Sequence, residues 1–366
     1  MHITKAEIVD YRNYKRQSIT LCPFVNFLTG ANAQGKTNLL EALYLSAVAR
    51  SPRTPRDREL IRWEESRAKV SVTAQKSYGA DTVEIVIDKA AQRKVSINGL
   101  PVTRIGELMG VVKVVFFSPD EMRIIKESPS DRRRFLDIAL SQISKAYFYL
   151  CQRYNRIVSQ RNRLIKSGQA AGAAGADNLD IWDNQLADSG SLIIKTRRGF
   201  VSALCAAARE QHLFLTDGKE ELSLEYESVE GESAEEIKAA FLTDLKAGRD
   251  RDLRLGYTGT GPHKDDLGVY IDKTDARKFA SQGQQRTAAL SIKLAEVDLA
   301  ADKGETPVLL LDDVFGELDL SRRQKLIQRI KGMQAVITCT DLDEDIIKDL
   351  GEHKVFFVKN GEVNGL

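Results

Sequence analysis

Residues 24–47, FVNFLTGANAQGKTNLLEALYLSA, decide the fold. The apolar run VNFLT reads as a short strand, and Leu39, Leu40, Leu43, Tyr44 and Ala47 recur at helical spacing beyond it. Between them, Gly30-Ala31-Asn32-Ala33-Gln34-Gly35-Lys36-Thr37 matches GxxxxGK[ST] at every fixed position, in the strand–loop–helix setting of a phosphate-binding loop. Successive backbone N–H groups and the helix N-terminus would cradle phosphates, Lys36 would reach the β and γ oxygens, and the Thr37 hydroxyl would ligate Mg²⁺. The bland alternative, a glycine-rich turn before a helix, leaves Lys36 buried at a helix start with no anion.

Such a loop needs a carboxylate for its metal, delivered from the end of a neighbouring strand. PVLLLDDVFGELD, ending at Asp319, supplies one: Asp312 is the expected Mg²⁺ carboxylate, and Asp313 the candidate to orient or deprotonate an attacking water. Strand ends also carry acidic helix caps, the competing reading for Asp313. A third element, FASQGQQRTAALSIKLAE, begins a helix at Ser281, Gln282, Gly283 and Gln284. A serine and a glycine at a helix N-terminus can hold a phosphate, although alone they read as an ordinary cap.

The bulk numbers bound the rest. The 366 residues are 42% apolar, enough for a sizeable core, and 54 basic against 52 acidic residues leave a net charge of +2. Any nucleic-acid surface must therefore come from local sorting of charge. The charged N-terminus has no signal-like apolar core, and no stretch reaches membrane-spanning length, so the expected location is cytosolic, about the nucleoid, with no membrane partner. Cys22, Cys151, Cys205 and Cys339 lie far apart in apolar contexts and share no metal-ligand spacing with the histidines, which predicts reduced, buried thiols.

The N-terminal part reads as α/β, with a tight type I′ hairpin at Asn98-Gly99 and a buried strand in VVKVVFF. Leu136, Leu140, Ile143, Tyr147, Leu150, Tyr154, Ile157 and Leu164 then follow a 3/4 spacing interrupted at Arg161, and Leu179, Trp182, Leu186, Ile193, Phe200 and Leu204 resume it after SGQAAGAAGAD. This predicts a short antiparallel helix hairpin with a small-residue turn. Residues 132–166 hold nine basic residues against Asp137 alone, whereas residues 209–250 are acidic. Arg132, Arg133, Arg134, Arg153 and Arg156 are candidate DNA contacts on this run, with Arg53 and Arg56 in a second; a solvated helix face is the alternative for each. Tyr147, Phe148, Tyr149 and Tyr154 could stack on bases, but Tyr147 and Tyr154 fit the helix seam better. His263 is a candidate near the site or near DNA, or a buried structural histidine. The C-terminal hundred residues return to α/β order. The expected fold is thus α/β, a P-loop head with an inserted helical lobe: residues 1–117 and 256–366 form the nucleotide-binding lobe and residues 118–255 the insert.

The order of these elements resembles the ATP-binding-cassette (ABC) ATPases, especially SMC heads. More closely, YRNY, GKTNLLEALY, SPDEM, DRRRFLD, GPHKDDL, SQGQQRT and LLLDDVFGELD resemble the RecF family of bacterial recombination and repair proteins over essentially the whole chain. The resemblance implies ATP and Mg²⁺ as cofactors, with residues 30–38 (through Asn38), Arg12, Gly283 and Gln284 at the nucleotide and Lys36, Asp312, Asp313 and Ser281 catalytic. Arg12 would approach the α-phosphate side, Asp319 would belong to the D-loop and residues 118–120 to the Q-loop. It also implies an ATP-dependent homodimer in which one subunit's Ser281 closes over the γ-phosphate of the other, DNA as ligand, and action with RecR and RecO in loading RecA at gaps and stalled forks. Asp313 stands where most ABC ATPases have Glu, and Thr340 where they have a switch histidine; Ala33, Lys264 and Gly316 also depart. A carboxylate one methylene shorter lies about 1.5 Å further from an in-line water, worth about 10²-fold, consistent with slow, switch-like hydrolysis. The rival classes are an ABC subunit energising a transporter and an SMC-like ATPase with nuclease chemistry near Asp341.

Overall fold

The computed structural model describes residues 1–167, 172–301, 305–342, 347–348 and 350–365. The chain divides into two compact units: a first unit of Met1–Met122, Glu210–Glu220 and Arg286–Leu366, and an inserted unit of Arg123–Arg209 and Glu221–Gln285. These limits differ from the expected lobes. Residues 118–122 and 210–220 cluster with the first unit, and residues 256–285 with the insert.

The first unit carries two six-stranded sheets. One runs, edge to edge, Glu362–Gly365, His353–Lys359, Val25–Thr29, Ala335–Cys339, Val308–Leu311 and Val114–Phe117. All neighbours in it are parallel except the terminal hairpin. Strands covered on both faces read as unbroken apolar runs, and Val25–Thr29, Ala335–Cys339 and Val308–Leu311 are buried at every residue. Thr29 pairs with Cys339 and Ile337 with Leu311, so the carboxyl ends of three strands line one edge. In open α/β sheets that edge is where ligands bind. The other sheet is antiparallel, in the order Tyr14–Thr20, His2–Tyr11, Arg67–Lys76, Gly79–Asp88, Lys94–Ile97, Leu100–Pro101. Its register alternates burial, as at Ala68, Val70, Val72 and Ala74, and Asn98 and Gly99 take φ of 52° and 79°, the expected type I′ turn.

In the inserted unit the 3/4 pattern belongs to two helices rather than one. Pro129–Ile143 stops at Ser144, whose hydroxyl accepts the Tyr147 N–H at 3.3 Å and caps Lys145–Lys166. The next helix, Gly172–Thr216, starts inside the alanine-rich stretch expected to be turn; the rest of that turn, residues 168–171, lies outside the described residues. A three-stranded sheet, Thr274–Asp275, Asp266–Ile271 and Leu222–Glu227, was not expected. Its signal was the alternation Leu222, Leu224, Tyr226 and Leu267, Val269, Ile271, set among acidic residues.

The interruption at Arg161 is a buried ion network. The guanidinium is fully buried; Nε donates to Asp183 Oδ1 at 2.7 Å, and Nη1 to Asp252 Oδ2 at 2.7 Å and to Thr258 Oγ1 at 2.9 Å. His263 joins the same region as a structural residue: Nε2 donates to the Thr258 carbonyl at 3.0 Å and Nδ1 accepts from the Tyr154 hydroxyl at 2.7 Å. Burial pulls its pKa from 6.5 down to about 4, a fall that the Thr258 bond only partly offsets. The unfolded chain therefore takes up this proton first as pH falls. The stability His263 supports is complete above about pH 7 and is lost between pH 6.5 and 4. The expected loss on going from pH 7.5 to pH 5 is about 2 kcal/mol in urea unfolding. An equal pH slope in His263→Gln would refute it.

Candidate nucleotide-binding site

Loop residues 30–37 leave the carboxyl end of Val25–Thr29 and enter the helix Lys36–Val48, whose residues from Leu39 onward are all buried. Gly30 has φ of 137°, and a Cβ there would collide with the Val358 carbonyl of the C-terminal hairpin. That hairpin also reaches the loop through its turn: Gly361 N–H donates to the Gln34 carbonyl at 3.0 Å and Asn360 N–H to Gln34 Oε1 at 2.8 Å. From the other side, Asn13 Nδ2 donates to the Gln34 carbonyl at 2.9 Å and the Tyr14 hydroxyl to the Gly35 carbonyl at 2.9 Å. The loop is thus held from both chain ends. Ala33, where the family pattern has glycine, takes φ of 65°, a left-handed conformation in which alanine costs on the order of 1 kcal/mol.

Lys36 is buried, its ammonium donating to the carbonyls of Gly30 and, at 3.0 Å, Ala31. It therefore lies folded along the loop that would wrap the phosphates. Thr37 Oγ1 donates to Asp312 Oδ1 at 2.9 Å, and Thr338 Oγ1 donates to the same oxygen at 2.7 Å. Thr338 also accepts the Asp313 N–H at 2.8 Å. Burial raises the Asp312 pKa, which the hydrogen bonds from Thr338 and Thr37 and the charge of Arg53 partly counter, while the Asp313 charge adds to it. A buried carboxylate disfavoured as an anion, touching a hydroxyl, is a hard oxygen pair suited to Mg²⁺. Asp313 takes φ of 50° and is exposed. Thr340 is exposed and lines an open cavity of about 550 Å³ with Thr29 and Gly30. Asn32 and Ala31 are exposed on the loop, and Asn38 Nδ2 donates to Asn13 Oδ1 at 2.9 Å.

Two arginines bond to the helix that follows the P-loop. Arg12 makes a bidentate pair with the fully buried Glu41, both bonds at 2.8 Å, and a bond of 2.9 Å to the Glu59 carbonyl. Its guanidinium ties the turn after His2–Tyr11 to the helix that follows the P-loop. Arg53, a candidate DNA contact, is exposed and donates to Asn38 Oδ1 at 2.9 Å on the P-loop helix. Arg56 is exposed and lies 3.5 Å from Glu59. Thr338, Glu41 and the Asn360-Gly361 turn were all missed from sequence.

In the inserted unit, Ser281 and Gly283 are exposed at the start of the helix Gln282–Ala300. Ser281 Oγ accepts the Gln284 N–H at 3.3 Å and Gln284 Oε1 accepts the Ser281 N–H at 2.9 Å, a reciprocal cap. Arg132 is not a surface contact: it is buried in a bidentate pair with Asp266 at 2.6 and 2.7 Å. Arg133 is half-buried and donates to the Asp265 carbonyl at 2.7 Å, burial lowering its pKa. Arg134, Arg153 and Arg156 are exposed. Tyr147 and Tyr154 are core residues. Asp319 caps the helix Leu320–Ile330, accepting the Arg322 N–H at 2.9 Å. Of the acidic stretch after Asp341, residues 343–346 lie outside the described residues; no cluster of three metal-ligating side chains occurs among the described ones. No helix among the described residues is long and apolar enough to cross a membrane.

Residues 2–363 match the family model for the RecF/RecN/SMC N terminal domain. The chain is 42% identical over 365 residues to the DNA replication and repair protein RecF of Clostridium perfringens strain SM101, covering 99% of both chains. It is 43% identical over 368 residues to that of Halothermothrix orenii, covering 99% of this chain and 98% of the relative. Among solved structures, the recombination mediator protein RecF-ATP in the RecFOR pathway superimposes with a TM-score of 0.91 at 34% identity, covering 100% of this chain and 97% of that one. The SmcHead bound to the C-winged helix domain of ScpA shares the fold, with a TM-score of 0.59 at 16% identity. Agreement of this extent across sequence and fold shows that the chain belongs to the RecF family of DNA replication and repair proteins, built on the ABC-ATPase head shared with SMC proteins.

Proposed function

We propose that this chain is a slow ATPase whose bound ATP joins two copies on DNA, and that hydrolysis resets the assembly. The observation carrying the reading is the cluster at the sheet edge: Lys36 folded along its loop, and Asp312 held by Thr37 and Thr338. Bound Mg-ATP would supply the triphosphate and its charge-neutralising metal; Thr37 and Asp312 would hold the metal. Lys36 would exchange the Gly30 and Ala31 carbonyls for phosphate oxygens, and Asp313 would orient water from the exposed side. Ser281 and Gly283, exposed at a helix N-terminus, supply what a second copy's γ-phosphate would need. Relatives named for DNA replication and repair, and RecF-ATP of the RecFOR pathway, support DNA as ligand and partnership with RecO and RecR in loading RecA.

The test is the mass in solution with and without Mg-ATP, followed by DNA retention in the same samples. Wild type is expected to double in mass and retain more DNA with Mg-ATP. Ser281→Arg is expected to stay single while its own P-loop still binds ATP. A wild type that remains single in Mg-ATP refutes the composite site.

A further inference from the structure

In the inserted unit, the helices Lys145–Lys166 and Gly172–Thr216 leave a cavity of about 450 Å³. Tyr149, Arg153 and Arg156 line it from the first helix, spaced by four and three residues and so on one face, with buried Ile157 beside them. Trp182 and Gln185 line it from the second. Elsewhere in this unit Arg132, Arg161 and Arg197 are neutralised by Asp266, by Asp183 and Asp252, and by Asp137. Arg153 and Arg156 are exposed, and no aspartate or glutamate pairs with either among the described residues. Two uncompensated guanidiniums beside an indole and a phenol combine a phosphate site with a stacking site. An acidic peptide would use the cations and leave the rings idle; a folded duplex would hide its base faces. The volume lies within the roughly 300–1,000 Å³ of small-ligand pockets, room for one nucleotide unit.

We infer that this cavity holds one unstacked nucleotide of single-stranded DNA. Arg153 and Arg156 meet the backbone phosphates, and Trp182 and Tyr149 take the base. The inference rests on the DNA-binding reading above and adds that this contact needs neither ATP nor a second copy.

The chain has two tryptophans, so Trp63→Phe leaves Trp182 as the only one. In that background a fluorescently labelled oligo(dT) is titrated without nucleotide, reading Trp182 emission and oligonucleotide anisotropy together. Binding is expected to quench Trp182. Arg153→Ala with Arg156→Ala is expected to lower the slope of log affinity against log salt by about 1.4, two phosphates at roughly 0.7 each. Trp182→Ala is expected to weaken binding about 5- to 150-fold, and Trp182→Phe to restore most of it. Should Trp182→Ala fail to fold, the exposed arginine pair still decides. Oligo(dT) that binds with unchanged Trp182 emission and an unchanged salt slope in the arginine variant overturns the pocket and leaves the DNA-binding reading standing. Quenching by polyglutamate but not by oligo(dT) overturns it in favour of an acidic protein partner. If neither oligo(dT) nor gapped duplex binds, with or without Mg-ATP, the DNA-binding reading falls and the pocket with it.

Discussion

Arg161→Ala is expected to destabilise the inserted unit by about 3–5 kcal/mol. The guanidinium is fully buried between Asp183 and Asp252, themselves buried, and it also reaches Thr258. Among the described residues, its removal leaves the Asp183 side chain with Arg249 and the Asp252 side chain with the Gly259 N–H at 3.0 Å. A buried carboxylate stripped of its cation costs far more than the pair was worth, which is why half a buried pair is worse than none. Asp252→Asn on top of Arg161→Ala is therefore expected to recover part of the loss, because the amide keeps the Gly259 bond without the charge. Arg161→Lys should rescue poorly, since a single ammonium cannot reproduce the planar fork. Trp182 lies in this unit and Trp63 in the first, so urea unfolding followed in the Trp63→Phe background reads the inserted unit alone. A shift below about 1 kcal/mol for Arg161→Ala would mean that water or a neighbouring cation replaces the arginine.

Lys36→Ala is expected to lower ATP hydrolysis by about 10²–10³-fold, the scale of losing one preorganised donor at developing charge. The two arginines described beside the P-loop helix are engaged elsewhere. Arg12 is committed to Glu41 and the Glu59 carbonyl, and Arg53 donates to Asn38. Lys36→Arg should fare little better, because the lysine fits a buried path along the Gly30 and Ala31 carbonyls that a planar guanidinium cannot follow. Phosphate release in a single turnover is the measurement, with near-ultraviolet circular dichroism to verify the fold. Hydrolysis within tenfold of wild type would remove Lys36 from the site.

The parts of this site that were legible are contiguous in sequence. A strand, a glycine-framed loop and a helix make the P-loop within two dozen residues, and the apolar run before Asp312 marks its strand end just as locally. Thr338 was not legible, because its role depends on Ala335–Cys339 lying beside both Val25–Thr29 and Val308–Leu311. The arginines make the same point. Arg132 and Arg153 belong to one basic run, yet Arg132 meets Asp266, 134 residues away, and Arg153 meets no carboxylate among the described residues. Charge patterning shows that cations are present; only tertiary pairing shows which are spent. The three-stranded sheet was missed for a different reason, its period-two alternation being carried by strands of six residues or fewer amid acidic neighbours.

The strand that feeds the loop and the hairpin that holds it lie at distant points in the sequence, Val25–Thr29 against His353–Lys359 with Glu362–Gly365. Val25–Thr29 lies between Ala335–Cys339 and His353–Lys359, and the Asn360-Gly361 turn bonds to Gln34. In a growing polypeptide the loop thus emerges well before both of the strands that flank Val25–Thr29. These late, sequence-distant pairings are slow to form and are the last to be rewarded. The clasp on the nucleotide loop is therefore a product of long-range closure of the sheet, and the loop's own local sequence is not enough to build it.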